Sequence, residues 1–267
     1  MRAKRLPWRD RIEAIAALLD RLLNLGLFLF GLLIFAYAAY ALWDDASIGA
    51  SAFSNRDLKQ FKPVLQAEEP DFEELRAMNP DVVGWITIPG THIDYPVAQG
   101  QDDLEYAEKD IFGNPSITGS VYLAAKNAPD FSDGYSILYG HHLDNGAMFG
   151  DIDLFAEEDF FETHRDGLLV SPETVYDLRI VACIHTDAYE GTVYGLSREG
   201  NAIGPALLEY IREHADVLDE AGLAGAGKLV ALSTCANATT NGRIVLFAAA
   251  TIKEETRKDM QGREETQ

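Results

Sequence analysis

Two short stretches carry side chains suited to covalent chemistry. Leu232-Ser233-Thr234-Cys235 ends an apolar, strand-like run with a thiol. Tyr139-Gly140-His141-His142-Leu143-Asp144-Asn145-Gly146-Ala147-Met148-Phe149 takes a second strand into a turn with an imidazole at its mouth. Arg243 stands eight residues after Cys235, beyond the turn-rich Ala236–Gly242, where the next apolar run begins. A strand–loop–strand return of that length can bring the guanidinium back beside the cysteine. A strand-end thiol near a histidine and a cation is a workable acyl-transfer site. The thiolate attacks a carbonyl, the imidazole carries the proton, and the cation or backbone N–H groups hold the developing oxyanion.

Spacing alone leaves each residue a plainer reading. Cys235 can be an inert core thiol, Arg243 a surface ion pair, and His142 the true base in place of its neighbour. Cys183, inside Val181-Ala-Cys-Ile-His185, reads as a core strand cysteine, and Trp85 as a core indole. Gly222-Leu-Ala-Gly-Ala-Gly-Lys228-Leu229 nearly spells a phosphate-binding loop. It has Leu where Ser or Thr would hold magnesium, and it lies after a helix and before a strand, the reverse of that motif's order. Asn237-Ala-Thr239 is a minimal glycosylation pattern. The six histidines show no metal-ligand spacing with a cysteine or carboxylate, so no metal or other cofactor is expected.

These residues need a β-rich frame. Short apolar runs punctuated by Gly, Pro and Asn occur at 82–88, 120–125, 135–140, 167–171, 174–186, 228–235 and 243–252. Many short strands with scattered turns suggest a barrel or sandwich rather than βαβ units. One helix interrupts them, Pro205–Gly222, with Leu207, Leu208, Ile211, Ala215 and Leu218 on one stripe. A shorter helix is expected at 71–78, ending at Asn79-Pro80.

The chain has 267 residues, with 22 Lys plus Arg against 43 Asp plus Glu and a formal net charge of −21. A polyanion repels phosphate backbones, so nucleic acid is excluded as a partner. The charge is uneven, because residues 1–43 hold six basic and three acidic side chains. Residues 22–43 form an uncharged apolar run of 22 residues. At about 1.5 Å per residue it is long enough to cross a hydrocarbon core. Basic residues precede it and Asp44-Asp45 follow, so the amino terminus is expected in the cytoplasm and the rest outside. Ala36-Tyr-Ala38 and Ala39-Tyr-Ala41 leave a cleaved signal peptide as the alternative. The expected organisation is a basic cytoplasmic segment (1–21), a membrane anchor (22–43), a linker with helical residues (44–80), a catalytic domain (81–252) and a disordered polar tail (253–267).

The motifs together resemble a class B sortase. Asn79–Val97 (NPDVVGWITIPGTHIDYPV) is similar to the start of the class B catalytic domain. The Tyr139–Phe149 stretch is similar to its histidine motif, and Leu232–Cys235 with Arg243 to its cysteine motif. The likeness covers residues 71–252, with one departure: Ala231 stands where the family usually has Thr. The resemblance implies an eight-stranded β-barrel with amino-terminal helices and one inserted helix near 205–220. It implies Cys235 as nucleophile, His141 as general acid/base, and Arg243 as the group steadying substrate and oxyanion. The Ala236 N–H becomes a second oxyanion donor, and Ser233 and Thr234 line a peptide groove. It further implies a membrane-anchored transpeptidase of a Gram-positive-type envelope, which cleaves a carboxy-terminal sorting signal and passes the acyl group to a cell-wall amine. A pilin lysine as acceptor, a peptidoglycan L,D-transpeptidase and an inactive envelope scaffold are the alternatives.

Overall fold

The computed structural model describes residues 8–53, 58–63, 72–235 and 241–253. The chain divides into two compact units, residues 1–48 and 49–267. Helix α1 (Trp8–Phe53) contains Ile15–Trp43, a stretch of 29 residues long and apolar enough to cross a membrane, none of it buried. The apolar run expected as the anchor lies inside it. The tail beyond Lys253 is outside the described residues.

In the second unit, helix α2 (Glu73–Met78) precedes strands β1 (Val82–Thr87), β2 (Asp94–Ala98), β3 (Val121–Leu123) and β4 (Tyr135–Tyr139). A 3-10 segment (Gly150–Ala156) and helix α3 (Glu158–Thr163) lead to β5 (Asp166–Val170) and the long β6 (Val175–Asp187). After helices α4 (Gly191–Tyr194) and α5 (Pro205–His214) come β7 (Ala215–Leu218), α6 (Glu220–Ala224), β8 (Leu229–Cys235) and β9 (Gly242–Ile252). The strands pair in the order β5-β1-β2-β3-β4-β8-β9-β6, and β5 also pairs with β6, which closes an eight-stranded barrel. The first half of β6 closes that ring, from Val170↔Val175 to Asp166↔Arg179, while its second half carries β7 as an extra strand.

Period-two alternation explains how one strand serves two cores. On β8, Val230 and Leu232 join the larger cluster with Ile86, Leu123, Leu138, Leu178 and Leu246. Leu229 and Ala231, on the opposite face, join a second cluster with Val245, Phe247, Leu207 and Ile211 under α5. Central strands are therefore buried on both faces and read as continuous apolar runs. Trp85 is fully buried, and its Nε1–H donates to Asp94 at 2.8 Å. Cys183 is buried among the larger cluster, where burial pushes its thiol pKa far up.

The inserted helix is present but shorter than its apolar stripe. α5 stops at His214, because Ala215 turns extended (φ −70°, ψ 127°). Residues 215–218 then pair with β6 as Ile184↔Ala215, Cys183↔Val217 and Ala182↔Leu218. Leu207 and Ile211 are the residues that α5 buries.

Candidate active site

β4 and β8 are neighbours and parallel, so both chains leave the barrel at one rim. Their last rung is Tyr139↔Ser233, followed by a bond from the Gly140 N–H to the Ser233 carbonyl at 3.2 Å. His141 and Cys235 each stand two residues beyond that rung. On the other side of β8, Cys235 is paired with Arg243 of β9. The barrel thus lines up, across three adjacent strands, the backbone positions of the three residues that the sequence separates by 94 and eight positions.

The histidine loop is held by its own geometry. The Phe149 N–H bonds to the His141 carbonyl at 2.9 Å, and the Met148 N–H donates to the Tyr95 hydroxyl at 2.8 Å. Phe149 is fully buried under Gly140, where an added Cβ would meet its ring at 2.7 Å. Gly146 supplies the left-handed residue of the turn (φ +83°).

The two histidines have different surroundings. His141 is half-buried, and among the described residues its ring has no hydrogen-bond or ion-pair partner. Burial lowers its pKa, partly opposed by the Glu108 carboxylate, so the neutral, proton-accepting ring is favoured. It lines a cleft of about 440 Å³ with Ala107, Glu108, Pro115, Ser116 and Ile117. His142 is held between carboxylates, with Nδ1 at 3.5 Å from Asp153 and Nε2 at 3.7 Å from Asp144. Burial raises the Asp153 pKa, with His142 acting against it.

Arg243 is half-buried, and its Nη1 donates to the Gly242 carbonyl at 3.1 Å. It pairs with no carboxylate among the described residues, so the surface ion pair weighed for it is not formed there. Its charge is felt at Tyr139, whose hydroxyl pKa is raised by burial and by Asp103 and lowered by Arg243. Tyr139 stacks on Tyr194 at 6.3 Å and tilts against Tyr122 at 5.4 Å. Tyr194 in turn hydrogen-bonds Ser233, Oη to Oγ at 2.8 Å.

Ser233 and Thr234, expected along a groove, are 1% and 2% exposed. The Ser233 hydroxyl is occupied by Tyr194, and the Thr234 hydroxyl is buried without a partner among the described residues. Ala236 and the Asn237-Ala-Thr239 pattern lie outside the described residues. Tyr194 and Glu108 went unnoticed in the sequence. Tyr194 is 39 residues from the serine it holds, and no local pattern marks it. Among the described residues no group of three or more His, Cys, Asp or Glu side chains is arranged to hold a metal ion.

Comparison with known proteins agrees with the fold. The sortase domain family model matches residues 86–251. Sortase B of Staphylococcus aureus is 28% identical over 184 residues, 67% of this chain and 74% of that protein. The crystal structure of Spy0129, a Streptococcus pyogenes class B sortase involved in pilus biogenesis, is 34% identical with a TM-score of 0.61, covering 68% of this chain and 98% of that one. Sortase B from the Type II pilus of Streptococcus pneumoniae is 33% identical with a TM-score of 0.54, covering 68% of this chain and 99% of that one. The barrel closure, the rim it builds and these matches together place the chain in the sortase family, as a class B transpeptidase.

Proposed function

We propose that this transpeptidase works through a thioester on Cys235, formed when the thiol attacks the scissile carbonyl of a carboxy-terminal sorting signal. The observation that carries the reading is the row His141–Cys235–Arg243 at the ends of β4, β8 and β9, with His141 at an open cleft and without a partner among the described residues. His141 takes the thiol proton as Cys235 attacks, gives it to the departing amine, and later takes one from the acceptor amine. Arg243 and the Ala236 N–H are the donors assigned to the carbonyl oxygen as its charge develops. His142, bridged to Met148 across the loop, packs there beside Asp153 and orders the loop. α1 anchors the enzyme with residues 44–267 outside the cell membrane, and residues 81–252 form the catalytic domain.

The acceptor is an amine of the cell wall. The pilus systems of two relatives, at 34% and 33% identity, favour a pilin lysine as a second reading. Amine and water compete for one acyl-enzyme, so raising the amine should divert product from the hydrolysed acid to the amide in residues 44–267. Product partition by mass spectrometry checks this; acid alone at every amine concentration means a peptidase instead.

Arg243→Lys should fold normally and still lose activity. Lysine keeps the charge but not the planar fork that holds two oxygens at once. Losing one oxyanion donor costs about two to three powers of ten in rate. A loss below about threefold in kcat/KM would mean that Arg243 is not an oxyanion donor.

A further inference from the structure

The connection between β2 and β3 carries five carboxylates in nine residues: Asp102, Asp103, Glu105, Glu108 and Asp110. Four of them hold the loop itself. Asp102 accepts from the Leu104 and Glu105 N–H groups, and Asp103 accepts from the Ala125 N–H at 2.7 Å. Glu105 pairs with Lys109 at 2.8 Å, and Asp110 accepts from the Phe112 and Asn114 N–H groups. Glu108 differs. Its carbonyl is tied down by the Ser116 N–H at 2.8 Å, yet its carboxylate has no hydrogen bond or ion pair among the described residues. That carboxylate is exposed, lines the same cleft as His141, and acts on the His141 charge. Ile117, on another wall of the cleft, is 79% exposed and gives that wall an apolar surface.

We propose that this cleft is the acceptor site, in which Glu108 holds the ammonium of a primary amine and Ile117 takes the aliphatic stem behind it. This inference rests on the thioester reading and names the class of its second substrate. Glu108 is a positioning residue, attracting the cation to the side of the acyl-enzyme where His141 stands. An ammonium cannot attack, so its first proton passes to the neutral His141 imidazole. The amine nitrogen then forms the C–N bond as the C–S bond breaks. The second proton leaves nitrogen as the amide forms and ends on the departing sulfur, and the imidazolium returns its own to solvent. A lysine side chain of a protein and the side-chain amine of a cell-wall stem peptide share this chemistry.

The test is acceptor titration with Glu108→Gln in the full chain in detergent micelles, reading the KM of three nucleophiles. Nα-acetyl-lysine amide represents a protein lysine, a stem tripeptide with a free side-chain amine represents the cell wall, and hydroxylamine is uncharged at neutral pH. The KM of the charged acceptors should rise by up to about fivefold, the upper end for losing one partner of an exposed ion pair. The KM of hydroxylamine should move far less. Added salt should raise the charged-acceptor KM in the wild type and lose that effect in the variant. Glu108→Asp should recover part of the loss, and the better charged acceptor in the wild type identifies the natural source. An unchanged KM for both charged acceptors, or an equal rise for hydroxylamine, would overturn the assignment of Glu108. A wild type that makes no amide from any of the three would instead remove the transpeptidase reading, and this proposal with it.

Discussion

Cys235→Ala abolishes the acid and the amide together. Both products descend from one acyl-enzyme, so removing the nucleophile cannot spare either. Loss of an enzyme's nucleophile removes nearly all of its covalent advantage, about four powers of ten or more in kcat. Cys235→Ser falls almost as far, because an alkoxide is much harder to form than a thiolate. The neighbours on either side of Cys235 in the sheet remain in place in both variants. Leu229–Thr234 stays locked between β4 and β9, with the Tyr139↔Ser233 and Thr234↔Ile244 pairs intact. A normal melting temperature beside a flat product trace is therefore the expected pair of readings. Residual cleavage above about 1% of wild type would contradict a nucleophile at this position.

The second large effect separates adjacent histidines. His141→Ala should lower turnover by about two to four powers of ten, the usual contribution of a positioned general acid/base. It should change stability little, because the His141 ring makes no hydrogen bond among the described residues. His142→Ala should do the reverse. It removes the imidazole that stands 3.5 Å from Asp153 and the packing of a side chain 17% exposed, so the melting temperature falls. Asp153 is already raised by burial and can take up a proton, which limits the loss to about 1–3 kcal/mol. Turnover in that variant should stay within about threefold of wild type, outside the range of a lost acid/base. Circular-dichroism melts beside initial rates distinguish the two. A stable but inactive His142→Ala would move the proton-transfer role to His142.

What was legible in the sequence follows from what is local. β8 and β9 were plain because both faces of these strands are covered, so Leu229–Leu232 and Ile244–Ala248 are apolar without a break. The strand-end cysteine and the histidine loop stood out because each motif is contiguous. β7 was hidden because Ala215 and Leu218 continue the helical spacing of Leu207 and Ile211. Only the open half of β6, at Ala182–Ile184, turns that stretch into a strand. β2 is five residues long and contains Pro96, so its apolar pattern is too short to register. Its partners Val82–Thr87 and Val121–Tyr122 supply what propensity does not. Glu108 was one of five carboxylates in nine residues. Its distinction is tertiary, since Asp103 accepts from Ala125, 22 residues away, while the Glu108 carboxylate has no partner among the described residues.

His141 and Cys235 came together for a reason the motifs do not contain. The β4–β8 register, Tyr135↔Leu229 through Tyr139↔Ser233, sets both strand ends at one height. A slip of one residue would move every β8 side chain to the opposite face and exchange the two cores. The burial of Val230 and Leu232 on one side, and of Leu229 and Ala231 on the other, prevents it.

The most direct measurement is the intact mass of residues 44–267, quenched in acid during turnover of a sorting-signal peptide. The account predicts a mass gain equal to the acyl fragment, located on the proteolytic peptide that contains Cys235. Adding acceptor amine should discharge it as the amide appears. Product accumulating on an unmodified protein, or an acyl group carried by any other residue, would contradict the account.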